Sequence, residues 1–369
     1  MNHDFANLRV ALVHDWLNGM RGGERVLEHF CALFPKADLF TLIHEPSRLS
    51  PTIRRMNVTE SPFGRLPGVR KHYRFLLPLM PAFINRLPTA DYDLVLSTSH
   101  CVAKAAPPPR RGAHLSYVFS PMRYVWDHFP DYLGSSAVKN AGLRAIRPFM
   151  QRWDRRTCDR VDAFAADSNH IARKIRDFWG REAVTIYPPV ELDRFFPDGG
   201  PPDDYFLVVA AMVPYKKIHR AIEAARLGKH RLVIVGGGPE EKRLRGMAGP
   251  GIEFAGKVSD ADLPRYYQRC RALLYPGVED FGITALEAQA CGRPVIALGE
   301  GGAAETVRDG VTGALFHSPT AKSLARAMSN HEDTRYDAAE IRRWAETFSP
   351  AAFRESLLRW IQEETKFTW

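Results

Sequence analysis

The sequence of 369 residues has no uninterrupted run of about eighteen apolar residues, so it predicts no membrane-spanning helix. Its first residues lack a basic segment followed by an apolar one, and we expect no secretory signal. Cysteine is scarce and widely spaced, which excludes a disulfide framework and a metal-type cysteine pair. We therefore expect buried thiols in a reducing compartment, as in a cytoplasmic protein. The cysteines are Cys31, Cys101, Cys158, Cys270 and Cys291.

Basic residues exceed acidic ones, 51 against 42, which gives a net charge of +9. Part of this excess lies in the segment Arg65–Met80, where basic and bulky apolar residues alternate. Such a segment suits an anionic membrane surface or nucleic acid, and equally a core helix with a basic outer face. No recognition motif accompanies the charge, so we predict no nucleic-acid partner. Pro78 and Pro81 are expected to bound a short helix.

Two domains are expected, because the chain exceeds the size of one typical core. An apolar strand, a glycine loop and a helix open the sequence, and the same pattern starts again near residue 205. We predict an α/β protein of two doubly wound Rossmann-like domains, whose strand ends face an interdomain cleft that binds ligands. The domains are 1–188 and 203–348, joined by a Pro/Gly-rich linker at 189–202. The segment 349–369 is predicted to form a helix that packs toward the N-terminal domain.

The segment 277–292 is the most informative stretch, because it contains Glu279 and Glu287 eight positions apart. Gly282 interrupts it, so we expect a loop carrying Glu279 and a helix carrying Glu287. The start of such a helix suits a phosphate, whereas carboxylates accept hydrogen bonds from sugar hydroxyls. This predicts a ligand with both groups, although a solvated loop before a surface helix is the alternative.

Three further features are typical of nucleotide binding. Gly22 and Gly23 precede the first predicted helix, where adjacent glycines allow close approach to a phosphate or simply form a tight turn. Lys216 lies between a strand and a helix and could reach a diphosphate or remain solvated. The run 236–241 has two glycines of a dinucleotide fingerprint, but Glu241 replaces the third, which argues against a dehydrogenase.

Together these motifs resemble family-4 retaining glycosyltransferases of the GT-B fold. The resemblance is strongest in the C-terminal half and covers nearly the whole chain. The motifs that carry it there are 213–216, 236–239, 254–259, 277–297, 301–307 and 310–313. The N-terminal motifs 14–17, 22–24 and 120–127 resemble the bacterial polysaccharide branch, which includes many mannosyltransferases.

The resemblance implies roles for individual residues. Glu279 would accept hydrogen bonds from the donor sugar, Glu287 from the ribose, and Lys216 would neutralise the leaving diphosphate. The other donor-side residues implied are Gly22, Gly23, Lys217, Gly237, Lys257, Val258, Phe281, Gly282, Ile283 and Thr284. No metal or cofactor is expected, because a lysine and helix ends supply the positive charge.

Two positions depart from the family pattern. Ala211 stands where many members have an arginine, so the diphosphate would depend more on Lys216, with Lys217 as a helper. Phe119 stands where many have a histidine that contacts the donor sugar near the reacting centre. Acceptor-side candidates near that position are His14, Asp15, Ser120 and Arg123.

The resemblance implies transfer of a sugar from a nucleotide diphosphate donor to a saccharide acceptor in polysaccharide biosynthesis. Mannose from GDP-mannose is the first choice, and a lipid-linked acceptor would explain Arg65–Met80 through peripheral contact with the inner membrane face. A nucleotide-sugar epimerase on the same fold is one alternative. A non-catalytic nucleotide-sugar-binding protein, suggested by Phe119, is another.

Overall fold

The computed structural model describes residues 8–127, 129–132 and 137–365. The chain divides into two compact units, Met1–Tyr187 with Arg354–Trp369 and Pro188–Phe353. In the described residues, no helix is both long enough and apolar enough to cross a bilayer.

The first unit contains a seven-stranded parallel sheet with the order β3-β2-β1-β4-β5-β6-β7. Its strands are β1 (Val10–His14), β2 (Asp38–Thr41), β3 (Asn57–Glu60), β4 (Leu94–Ser99), β5 (Ala113–Val118), β6 (Ala163–Ala166) and β7 (Ala183–Thr185). Its helices are α1 (Gly22–Leu33), α2 (Pro51–Arg54), α3 (Val69–His72), α4 (Met80–Ile84), α5 (Ala137–Arg156) and α6 (Asn169–Trp179). The strand order reverses between β1 and β4, where parallel α/β sheets bind ligands beyond their carboxyl ends.

The second unit contains a six-stranded parallel sheet with the order β10-β9-β8-β11-β12-β13. Its strands are β8 (Phe206–Val209), β9 (Leu232–Val235), β10 (Ile252–Gly256), β11 (Leu273–Tyr275), β12 (Val295–Leu298) and β13 (Gly313–Phe316). The remaining helices are α7 (Ile218–Gly228), α8 (Glu241–Met247), α9 (Leu263–Arg269), α10 (Ile283–Ala290), α11 (Ala303–Thr306), α12 (Ala321–Ser329), α13 (Ala338–Glu346) and α14 (Pro350–Thr365). The order reverses between β8 and β11, so the loops after these two strands are neighbours.

The central strands form where the sequence has short apolar runs, because a parallel sheet covered on both faces buries every side chain. All residues of β1, β4, β5 and β9 are buried. Helix ends follow local signals as well. Ser168 accepts a hydrogen bond from the backbone of Ile171 at the start of α6, and Gly180 ends that helix in the left-handed conformation.

The helix predicted between Arg65 and Met80 is wrong in its boundaries. Instead, α3 is followed by a 3₁₀ segment, Tyr73–Leu79, that contains Pro78, and by α4, which has Pro81 in its first turn. Proline is tolerated there because the first turn of a helix leaves its N–H groups without intrahelical acceptors.

Candidate functional site

The second unit brings together Lys216 and Glu279, the residues for which the family resemblance implies catalytic roles at the leaving diphosphate and at the donor sugar. Lys216 ends a 3₁₀ turn after β8, and Glu279 lies in the loop after β11. Because β8 and β11 are neighbours, the Lys216 ammonium reaches the Glu279 carboxylate, and the two half-buried side chains form a hydrogen-bonded ion pair. The pair lines a pocket whose wall also includes Val209, Ala210 and Tyr275.

Gly277 explains how the two loops come so close. A Cβ atom at this position would lie 2.8 Å from the carbonyl oxygen of Tyr215 and 3.1 Å from that of Lys216. Any side chain would therefore push the Glu279 loop away from the lysine turn. The sequence contained this glycine, but only the packing of the loops reveals its use.

The turn before α10 has the geometry predicted for it. Gly282 adopts a left-handed φ of 97° and caps α10, which has eight residues. The first N–H groups of this helix, at Ile283 and Thr284, lack intrahelical acceptors and carry the positive end of the helix dipole. The turn is also tied to the next loop, since the N–H of Gly302 donates to the carbonyl of Glu279 at 2.8 Å.

Glu287 lies on α10, as predicted, and its carboxylate accepts a hydrogen bond of 2.6 Å from the hydroxyl of Tyr267 on α9. Burial raises the pKa of the Tyr267 phenol well above its usual value, and the Glu287 charge adds to this, so the hydroxyl stays a donor. The tyrosine orients the carboxylate. Nothing in the local sequence pattern of Glu287 identifies this partner, which lies on another helix.

Tyr275 at the end of β11 is a second residue that the sequence did not single out. Burial raises the pKa of its phenol well above the usual value, and the charge of Glu279 and, more weakly, that of Glu287 reinforce the shift. Its hydroxyl accepts a hydrogen bond of 3.3 Å from Thr284. Tyr275 therefore lies within electrostatic reach of both carboxylates and supports the start of α10.

The glycine run after β9 approaches Lys257, one of the predicted donor-side residues. A Cβ atom at Gly237 would lie 3.4 Å from Cε of Lys257, while the Gly237 carbonyl accepts from the N–H of Met212. Val258 follows Lys257 directly. Lys217 adopts a left-handed φ of 50° and caps α7.

Asp15 in the first unit is buried and organises the turn that follows β4. Each carboxylate oxygen accepts two backbone hydrogen bonds, at distances between 2.6 and 3.0 Å. The donors are His100, Cys101, Val102 and Ala103. The carboxylate therefore links the ends of β1 and β4 at the point where the strand order reverses.

His14 ends β1 and is fully buried. Its Nδ1 lies 2.8 Å from the hydroxyl of Thr98, whereas Nε2 has no hydrogen-bond partner among the residues that the structure describes. Burial and the nearby His100 lower the pKa of His14 to about 3, so the ring is neutral. The Phe119 ring packs 6.4 Å, between ring centroids, from both His14 and His100.

Gly22 and Gly23 form the first turn of α1, which corrects the prediction that they precede the helix. A Cβ atom at Gly23 would lie 3.4 Å from the Phe119 ring and 3.6 Å from Cε1 of His14. The start of α1 therefore lies against the ends of β1 and β5.

Ser120 and Arg123 lie beside this cluster. The Arg123 guanidinium donates to the Ser120 hydroxyl at 3.3 Å, and that hydroxyl donates to the Pro121 carbonyl. Burial first, and then the charges of Arg123, Arg21 and Arg74, lower the pKa of His100 to about 3. Three arginine charges therefore act on a neutral imidazole at the strand ends of the first unit.

Glu24 is a buried carboxylate that the sequence analysis did not select. One oxygen accepts a 3.1 Å hydrogen bond from the N–H of Arg21, the residue that precedes the first turn of α1. Burial raises its pKa from 4.5 to about 7, despite the nearby Arg21 side chain. The folded protein therefore binds a proton here that the unfolded chain releases at lower pH.

We expect the stability of the wild type to fall relative to Glu24→Gln as the pH rises from 4.5 to about 7. Below pH 4.5 the Glu24 carboxyl group is protonated in both the folded and the unfolded state. Between pH 4.5 and about 7 only the unfolded chain releases this proton, so the free energy of unfolding falls by a total of about 3 kcal/mol. The glutamine side chain does not titrate and still accepts from the N–H of Arg21. Urea unfolding of both proteins across this window measures the difference, and a difference independent of pH would contradict the prediction.

Metal ligation has no evident site in the described ranges 8–127, 129–132 and 137–365, where no three His, Cys, Asp or Glu side chains form a cluster. The absence of a metal requirement stays a prediction.

Two family models match the chain in succession. The one described as Glycosyltransferase Family 4 matches residues 20–194, and the one described as Glycosyl transferases group 1 matches residues 191–347. Over 160 residues the chain is 34% identical to O-antigen chain mannosyltransferase C of Escherichia coli. The matched region covers 40% of this chain and 43% of that protein. The chain is 31% identical over 216 residues to a D-inositol 3-phosphate glycosyltransferase of Mycolicibacterium gilvum, covering 50% and 48%. The chain spans about half the length of these curated relatives.

Solved structures resemble the chain over nearly its whole length. HepE from Anabaena in complex with UDP has a TM-score of 0.72 at 16% identity, covering 96% of this chain and 100% of that one. Sucrose-phosphate synthase from Thermosynechococcus elongatus has a TM-score of 0.70 at 19% identity, covering 97% and 99%. At these identities the likeness shows the fold alone. It confirms the predicted fold class, two Rossmann-like α/β domains of the GT-B type.

Proposed function

Because the chain belongs to glycosyltransferase family 4, we propose that it moves a sugar from a nucleotide diphosphate donor to a saccharide acceptor with retention of anomeric configuration. The observation that supports this best is the pairing of Lys216 with Glu279 beside the start of α10. Three groups therefore lie where the strand order of one sheet reverses. They are a cation suited to phosphate, a carboxylate suited to hydroxyls and the N-terminus of a helix.

In the proposed reaction, the diphosphate lies against Lys216 and the N–H groups that begin α10. Glu279 accepts from hydroxyls of the transferred sugar, and Glu287, oriented by Tyr267, accepts from the ribose. The bond between the anomeric carbon and the phosphate oxygen breaks while the acceptor oxygen bonds to that carbon on the same face. The acceptor proton passes to the departing phosphate oxygen, so positioning and electrostatics replace a protein nucleophile.

The donor we propose is GDP-mannose, supported by the similarity to a mannosyltransferase. HepE was solved with UDP, which makes a uridine nucleotide the comparison to test. Calorimetric titration of the full chain with GDP, UDP, ADP and their common sugars measures base and sugar preference. Incubating the donor alone tests the epimerase alternative, since an epimerase converts its donor without acceptor. Donor binding without turnover in the presence of saccharide acceptors would favour the non-catalytic alternative.

We expect Glu287→Gln to weaken nucleotide binding by about ten- to a hundred-fold, because a hydrogen bond to a charged acceptor is worth about 1.5–3 kcal/mol. Glutamine keeps an oxygen for the Tyr267 hydroxyl, so the local structure should persist. Titration with GDP measures the loss, and Glu253→Gln at an exposed position of β10 is the control. If both variants bind GDP equally tightly, the proposal that Glu287 binds the ribose is wrong.

A lipid-linked acceptor and peripheral attachment to the inner membrane face remain part of the proposal. In the segment Arg65–Met80, Phe75 is 79% exposed and Leu79 is 47% exposed, which suits contact with lipid. Arg70 is less suited to lipid binding than its charge suggests. Its guanidinium donates to the Glu60 carboxylate and to the carbonyl of His44, so it stabilises the fold around β3.

A further inference from the structure

Helix α5 in the first unit presents a ridge of apolar side chains to solvent. Leu143 is 41% exposed, Ile146 38% and Phe149 63%. Their spacing of three residues places them side by side on one helical face. Met150, one residue further, is fully buried in the hydrophobic core of this unit, so the helix is anchored to the first unit at the end of the ridge.

The exposed charges of α5 are all positive. Arg144, Arg152 and Arg156 are exposed, whereas Asp154, the single acidic residue in the sequence of this helix, is buried against Lys104. No carboxylate of α5 therefore offsets the arginines at its surface. An apolar ridge flanked by arginines is typical of a helix that lies on an anionic lipid surface.

We propose that α5 is a lipid-binding surface for anionic phospholipids, with the apolar ridge at the boundary between headgroups and acyl chains. A second copy of the chain is a poorer occupant, because like charges would oppose each other across a symmetric contact. Nucleic acid would use the arginines but not the ridge of Leu143, Ile146 and Phe149. The charge and the apolar ridge together therefore favour lipid.

The surface on α5 adds to the exposed pair Phe75 and Leu79. Met150 of α5 belongs to the same hydrophobic core as Tyr73 and Met80, which flank that pair in the chain. Both elements are therefore held by one core in the first unit. This inference rests on the proposed lipid-linked acceptor, because it supplies a reason for the enzyme to bind a membrane.

The test measures co-sedimentation of the full chain with vesicles of phosphatidylglycerol and phosphatidylcholine, without donor or acceptor. The test variant combines Phe149→Ser with Arg152→Gln. The matched control combines Leu227→Ser with Arg326→Gln on helices of the second unit, where Leu227 is 58% exposed. We expect the test variant to bind about fifty-fold more weakly, about tenfold from the phenyl group and about fivefold from the arginine. The control should bind like the wild type.

Equal binding by the test variant and its control would overturn the inference. So would a loss of double-stranded DNA binding or of self-association in the test variant without a change in vesicle binding. Transfer to a water-soluble saccharide acceptor is measured in parallel. Retained transfer with lost vesicle binding supports the surface, whereas absent transfer in the wild type would count against the proposed function and leave the vesicle result intact.

Discussion

Lys216→Met is expected to transfer sugar about 10²–10³-fold more slowly than the wild type, the cost typical of removing one preorganised electrostatic contact at a transition state. Methionine keeps much of the length of the side chain and removes the charge together with the N–H donors. In the proposed reaction, negative charge grows on the leaving oxygen as the bond to the diphosphate breaks, and the ammonium of Lys216 would stabilise that charge. Lys216→Arg should not restore the rate, since a planar guanidinium does not replace a point charge at this spacing.

Glu279 adds a second expected effect of Lys216→Met, a loss of donor affinity. In Lys216→Met the half-buried Glu279 carboxylate loses its cation and repels the diphosphate, so donor affinity should fall together with the rate. Adding Glu279→Gln removes that repulsion. The double variant should therefore bind the donor more tightly than Lys216→Met, although it remains slow because the contacts to the sugar are lost.

Initial rates and donor titrations of the four proteins in this cycle measure both effects. Lys242→Met, at an exposed position on α8, is the control for loss of a positive charge in the same unit. A rate for Lys216→Met within a few-fold of the wild type would reject the role assigned to the lysine. Equal donor affinity in Lys216→Met and in the double variant would reject the repulsion by Glu279.

The second large effect is expected in the first unit, where Asp154→Asn should lower the free energy of unfolding by about 3–5 kcal/mol. Lys104 and Asp154 are both fully buried, with 3.0 Å between Nζ and Oδ1. The other carboxylate oxygen accepts hydrogen bonds of 2.7 Å from the indoles of Trp126 and Trp179. Asparagine keeps an acceptor for the indoles but leaves the buried ammonium without its counter-charge.

A surface pair with the same geometry provides the control. Arg110 and Asp91 also lie 3.0 Å apart, but their side chains are 77% and 66% exposed. Asp91→Asn should therefore cost less than about 1 kcal/mol. Urea unfolding followed by tryptophan fluorescence compares the two variants, and Asp154→Asn with Lys104→Met should recover part of the loss. Equal destabilisation at both sites would show that burial of the Lys104 pair is unimportant.

Local patterns in the sequence were sufficient to predict the central strands and the turn before α10. The strand β9 lies where the sequence has a continuous apolar run, because such a run between a polar residue and a glycine leaves little freedom. The strands β3 and β7 were not predicted. Each is partly exposed, so neither has the apolar run that a fully buried strand requires.

The other residues whose roles the sequence did not reveal depend on contacts between segments that are distant in the chain. The two carboxylates and Lys216 could be selected from motifs, but Tyr267 and Tyr275 depend on how α9 and β11 pack against α10. Arg70 was counted among the membrane charges because sequence spacing does not reveal its bond to Glu60, a residue of an unpredicted strand. Likewise, Asp15 serves backbone N–H groups that are more than eighty positions away.

The hydrogen bond from Gly302 to the carbonyl of Glu279 has a practical consequence for altering donor specificity. A Cβ atom at Gly302 would lie 2.3 Å from Cα of Phe281, so the two loops fit only while position 302 remains glycine. A combinatorial library that varies both loops freely would consist mostly of proteins with a displaced Glu279. Diversity is better placed at Val278 and Thr284, with Gly301 and Gly302 kept constant. In chimeras made by exchanging segments between homologues, both loops should come from the same parent protein.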